Sequence, residues 1–217
     1  MKKLLMLSAL VVGLSASVVA APLCNSVLGS NVTTLTLGCE LGSYLFDNFA
    51  VTLATPGTIS GPILLTGTTV DSANSIFSLI FDPQLGGPTT EDFHFTFRVS
   101  TLNGAPGIYQ TGLAASGSGQ GSHVQERGCT TVINQSGICA GTVLYDYVAF
   151  AGQTIALTPI LGNAGVSELF IWKDVNSDAN GTLTSFTESF QTPEPMSITL
   201  LGAGLLGLGL IRKRRKA

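Results

Sequence analysis

The sequence predicts an all-β fold, an antiparallel β-sandwich or jelly-roll-like domain, on three observations. Phe93, Phe95, Phe97 and Val99 alternate with His94, Thr96 and Arg98 in "FHFTFRV". A period of two sends the apolar set to one sheet face and the polar set to the other. Four further runs are rich in aromatic and branched residues: Tyr44–Leu53, Ser75–Phe81, Ala140–Phe150 and Ser167–Val175. Turn formers punctuate them, in "TPGTISGP", "DPQLGGPTT", "NGAPG", "GSGQGS" and "GNAG". No stretch offers a long amphipathic helix, and many short strands in one domain's length are expected to pack as two sheets.

In chain order, residues 1–20 read as a Sec-type signal peptide. Lys2 and Lys3 form the positive n-region, Leu4 to Leu14 the apolar h-region, and Val18 and Ala20 the small residues before a cleavage point. The expected early partners are therefore the Sec translocon and signal peptidase. A lipoprotein reading fails because the bulky Leu23 precedes Cys24. Residues 21–191 are expected to form the β-sandwich ectodomain, and 192–217 a separate C-terminal segment.

All four cysteines, Cys24, Cys39, Cys129 and Cys139, follow the expected cleavage point. An even number in an exported chain reads as disulfides, with three pairings possible. The two clusters suggest local bridges, Cys24–Cys39 and Cys129–Cys139. No CxxC or Cys/His spacing supports a zinc site.

Charge is segregated along the chain. The body from Pro22 to Pro195 keeps only Arg98, Arg127 and Lys173 against all thirteen carboxylates, a net charge of −10. A surface so acidic repels phosphate backbones, so no nucleic-acid partner is expected.

Within the body, Asp174, Asn176 and Asp178 stand at positions 1, 3 and 5 of a run that resembles a calcium loop. The glycine and glutamate that such a loop needs at positions 6 and 12 are replaced by Ala179 and Ser185. The plainer reading is a β-hairpin turning at Asn180-Gly181, with Ca²⁺ as the one candidate ion and no other metal or cofactor. The stretch Ala115–Val124 reads as a flexible Gly/Ser loop. His94 falls on the polar face of its strand, and His123 follows that loop. No G-x-S-x-G elbow or paired carboxylates nominate catalytic residues, so none is assigned and no enzymatic activity is expected. Trp172, in "LFIWK", reads as strand-borne core, with a sugar-stacking platform as the alternative.

The last segment has three parts: Pro193, Glu194 and Pro195; the apolar run 196–211; and the basic cluster Arg212, Lys213, Arg214, Arg215 and Lys216 within the tail 212–217. Sixteen residues rising about 1.5 Å each span about 24 Å, short of a hydrocarbon core of ~30 Å. The basic end favours a transmembrane helix with its C-terminus in the cytoplasm, since long cationic side chains snorkel to cover the shortfall.

This arrangement resembles the bacterial PEP-CTERM sorting signal, which combines the Pro-Glu-Pro motif, a Leu- and Gly-rich span and an Arg/Lys cluster. The resemblance implies recognition and processing by exosortase, a membrane-embedded cysteine protease or transpeptidase-like enzyme. It also implies an inner-membrane-anchored precursor and a mature form at the cell surface or outside the cell. Leu23–Phe49 is similar to the opening of many such ectodomains, which favours a Cys24–Cys39 bridge. "IWKDVN" leading to "SFTESFQTPEP" is similar to their last hairpin. The expected role is a non-enzymatic structural or adhesive one in an exopolysaccharide or biofilm matrix. The alternatives are a carbohydrate-binding module for that exopolysaccharide and a secreted hydrolase.

Overall fold

The computed structural model describes residues 20–53, 61–83, 85, 91–119, 121–160, 165–179 and 181–193. The signal-peptide reading, residues 1–20, lies outside the described residues except for Ala20, and the membrane-span reading, 196–211, lies wholly outside them. Among those described, no helix is long and apolar enough to cross a membrane.

Eleven strands are described: β1 (Cys39–Leu41), β2 (Tyr44–Leu53), β3 (Leu64–Asp71), β4 (Ile76–Asp82), β5 (Glu91–Thr101), β6 (Gln110–Ser118), β7 (His123–Cys129), β8 (Val143–Phe150), β9 (Thr154–Pro159), β10 (Glu168–Ser177) and β11 (Thr182–Gln191). They form two antiparallel sheets in a β-sandwich. The six-stranded sheet runs β1-β2-β5-β10-β7-β8, and the five-stranded one runs β3-β4-β11-β6-β9. Most connections cross from one sheet to the other, so sequence neighbours rarely pair.

The alternation of β5 behaves as its sequence requires. Phe93, Phe95, Phe97 and Val99 are buried between the sheets, while His94, Thr96 and Arg98 lie on the outer face. Phe81 of β4 and Phe186 of β11 meet this row from the opposite sheet, with ring centroids 5.1 Å (Phe81–Phe95) and 5.2 Å (Phe81–Phe186) apart. In β2 the pairing with β5 slips between Asp47 and Ala50. Asn48 takes a left-handed conformation there, φ 55°. Asn tolerates that region better than most residues. The extra residue restores the inward direction of Phe49, which stacks on Phe95 and Phe97.

Two expectations are corrected. The β10–β11 segment is not a hairpin: β10 pairs with β5 and β7, while β11 pairs with β4 and β6 in the other sheet. A hairpin would place the two strands side by side, whereas crossing between sheets gives each two ladder partners. The Gly/Ser stretch is not a loop throughout either. Ala115–Ser118 belong to β6 and pair with β11. Gly117 is required by that pairing, because a Cβ there would collide with the carbonyl of Thr182.

Both disulfides are local, Cys24–Cys39 and Cys129–Cys139, with sequence separations of 15 and 10. The first ties the N-terminal 3-10 turn to β1. The second closes a loop after β7 that folds over the outer face of the six-stranded sheet. Closing loops of this size stabilises by roughly 2–3 kcal/mol, mainly by restricting the unfolded chain. Replacing Cys129 and Cys139 together by Ser should therefore lower the unfolding free energy by roughly 2–3 kcal/mol in a urea titration. A change within error would show that the loop is held by its contacts alone.

Candidate functional site

The three basic side chains of the body each join strands. Arg98 of β5 donates from Nε and Nη2 to Asp47 of β2, at 2.8 and 2.5 Å, and from Nη1 to Glu168 of β10 at 2.7 Å. The Asp47 bonds, which outweigh desolvation, raise its pKa further. Arg127 of β7 donates to Asp146 of β8 at 3.0 and 2.5 Å. Lys173 of β10 points inward, fully buried, between Glu126 of β7 and Glu188 of β11. These three cations are the only Lys or Arg among the described residues, and all are engaged by carboxylates.

The Lys173 cluster is enclosed on every side. Nζ donates to Glu126 Oε2, and to Glu188 Oε2 at 2.6 Å. It lies 5.4 Å from the Phe186 ring centroid. Glu126 Oε1, Glu188 Oε1 and the Tyr145 hydroxyl are buried and have no hydrogen-bond partner. Burial pushes the Glu188 carboxyl well above its ordinary range, the charge of Glu126 adds to that, and Lys173 only partly offsets it. For Lys173, burial alone would lower the pKa, but the two facing carboxylates outweigh it and raise it. Tyr145 is pushed up by burial and then by the negative charges of Glu126 and Glu188. No sequence pattern flags this triad, because Glu126, Lys173 and Glu188 come from three strands in two sheets.

On the outer face of the six-stranded sheet, a second group forms. Asp174 lies opposite His94 in the β10–β5 register, and Asp92 is its diagonal neighbour. Asp92, His94 and Asp174 each bring one ligand atom within 4.8 Å of the others. All three are half-buried. Asp92 Oδ1 and Asp174 Oδ1 are shielded from solvent and receive no donor from the protein. Asp174 is raised by desolvation first and then by its hydrogen bond to Asp92 and that residue's charge, with His94 and His123 opposing.

Trp172 adjoins this group, its ring centroid 5.0 Å from that of His94. It is 6% exposed, and its Nε1 donates to the carbonyl of Gln135 at 2.9 Å. The disulfide-closed loop thus covers the ring, and Arg127 braces the loop by donating to the carbonyl of Gly137 at 2.7 Å. Trp172 is core, as expected, and offers no open face for stacking on a sugar.

The calcium-loop reading of Asp174, Asn176 and Asp178 is corrected. Asp174 and Asn176 belong to extended β10, where each residue advances about 3.3 Å, so Asp174 and Asp178 lie too far apart to curl around one ion. Asp178 instead reaches the Ser122 region, its backbone N–H donating to Ser122 Oγ at 3.1 Å. The structure gathers Asp174 with Asp92 and His94, which sequence distance concealed. His123 opens β7 on the same outer face, its Nδ1 2.8 Å from the Gly121 carbonyl. No serine is hydrogen-bonded to His94 or His123 among the described residues. Of the Pro193, Glu194 and Pro195 motif, only Pro193 is described; it is exposed, just beyond the end of β11. Glu194, Pro195 and the cluster Arg212–Lys216 lie outside the described residues.

No family model, curated protein or solved structure matches this chain.

The raised Glu188 pKa has a defined sign in stability. Its folded carboxyl holds a proton that the unfolded chain releases in the ordinary glutamate range, so stability falls as pH rises through the folded value. The thermal midpoint should therefore decline above the ordinary glutamate range, and Glu188→Gln should flatten that decline. An unchanged slope in Glu188→Gln would assign the pH dependence to other groups.

Proposed function

We propose that this chain is an exported, non-enzymatic surface or extracellular-matrix protein, sorted and processed by exosortase. The observation that carries this reading is the three-part C-terminal sequence: Pro193-Glu194-Pro195, the apolar run 196–211 and the basic cluster 212–216. The domain it follows suits an extracellular life. Two disulfides are what an oxidising compartment sustains. β11 ends at Gln191, and Pro193 emerges exposed beyond it. That lets a membrane-bound enzyme approach the motif without unfolding the sandwich. The surplus of carboxylates keeps the domain soluble and apart from its copies.

The expected outcome is a mature extracellular form that lacks Arg212–Ala217, read by mass spectrometry of the C-terminal peptide. Extracellular protein that uniformly keeps those residues would rule out processing at this tail.

A second property, cation binding on the outer face, is favoured by the approach of Asp92, His94 and Asp174. Two carboxylates and an imidazole form a donor set for a divalent transition metal, and no basic side chain neutralises it. Titration with Zn²⁺ should release or absorb heat and raise the thermal midpoint, as any ligand selective for the folded state does. Asp174→Asn should abolish both effects. Absence of binding to the wild-type domain would rule out this cation site.

A further inference from the structure

Lys173 and Glu126 are direct register partners on β10 and β7, so their side chains leave the same sheet face together and meet inside the sandwich. Glu188 enters from the opposite sheet and places Oε2 2.6 Å from the same Nζ. All three residues are sealed from solvent. Fully ionised, they would carry two negative charges and one positive into an apolar core, with three polar atoms around them unsatisfied. One added proton makes the cluster neutral. At that same proton count, moving a proton from Nζ to Glu126 gives a free amine against a carboxylic acid, with no change in total charge.

We propose that Lys173 and Glu126 condense into an intramolecular isopeptide bond, Nζ to Cδ, with Glu188 as the proton carrier. The Nζ lone pair attacks Cδ of protonated Glu126; the N–C bond forms and one C–O bond of that carboxyl breaks. Glu188 takes a proton from Nζ through one oxygen and delivers one to the departing hydroxyl through the other, ending as it began. The leaving group is one water. Nothing is oxidised or reduced, and no co-reactant is required.

Three features of the site favour this step. Amine, acid and carrier are held in contact, which replaces a bimolecular encounter by an intramolecular one. Burial by itself opposes the ion pair; the facing carboxylates outweigh it and favour protonated Lys173, and the amide product removes the buried charges altogether. The raised pKa of Glu188 keeps a proton available beside the reacting atoms. The product also suits the site: its N–H donates to Glu188, and its carbonyl accepts from the Tyr145 hydroxyl, which lies beside Glu126. Glu126 is assigned as the acyl partner because it shares register with Lys173, while Glu188 approaches from the other sheet. The bond joins β7 to β10 and, unlike either disulfide, survives reduction.

The test is the intact mass of the wild-type chain, reduced and denatured, with both termini read from their peptides. The expected mass is one water below that of the sequence between those termini, with a branched fragment joining Glu126 to Lys173 on tandem mass spectrometry. Lys173→Arg should show the full mass, and Glu126→Gln should lose one ammonia in place of the water. Full mass for wild-type protein whose two disulfides have formed overturns the proposal, as does a branch from Lys173 to Glu188. Because the deciding measurement is made on wild-type protein, a variant that fails to fold does not obscure it.

Discussion

Everything central in this sandwich converges on Lys173, a cation held with no access to water between two carboxyls. Its strand, β10, is flanked by β5 and β7, and one of its acidic partners belongs to β11, the middle strand of the other sheet. Burying a charge is tolerated only when it is paired, so the positions of β7, β10 and β11 are mutually constrained. A shift of any of the three by one residue would turn its charged side chain to the opposite face and leave the others unpaired. The aromatic row of Phe95, Phe81 and Phe186 lies at the centre of the apolar contacts but is less selective, because hydrophobic contacts tolerate repacking. Register is what the charge cluster adds.

The same economy governs the outer face. With three cations in the body, each is used to join strands, and Arg98 and Arg127 do so on the outside of the six-stranded sheet. Nothing basic remains to answer Asp92 and Asp174. They settle instead on each other and on His94, which produces a raised carboxyl and a donor set suited to a cation. The loop closed by Cys129–Cys139 then seals the adjacent apolar surface around Trp172. The two disulfides are what an oxidising environment sustains.

Within the proposed role, domain and tail divide the work. The sandwich needs only to stay folded, and its covalent ties serve that end. The proposed address lies in the three parts of the C-terminal segment, whose composition suits a membrane: a Pro-Glu-Pro motif, an apolar run and a basic cluster. A body of net charge −10, set against two lysines at the N-terminus and five basic residues in the tail, explains how a mild overall charge of −3 conceals a strongly acidic body.

The all-β class was legible because side chains alternate with period two, and "FHFTFRV" displays that alternation without needing a partner strand. The local disulfides were legible too, since each cysteine's nearest neighbour in sequence is also its partner. Less could be read where the chain changes sheets. Asn180-Gly181 carries the turn signal of a hairpin, yet the strands on either side enter different sheets. Turn chemistry fixes how tightly the backbone bends, not which ladder it joins. The pairing of Lys173 is hidden in the sequence for a related reason: its partners, Glu126 and Glu188, lie 47 and 15 residues away. Sequence alone determined the alternating faces, the cysteine spacing and the three-part tail, all encoded by neighbours along the chain. Only the tertiary structure decided that a lone lysine would be buried between two glutamates, and that Asp174 would face Asp92 and His94. Those contacts depend on strand order and register, which the packing of both sheets sets together.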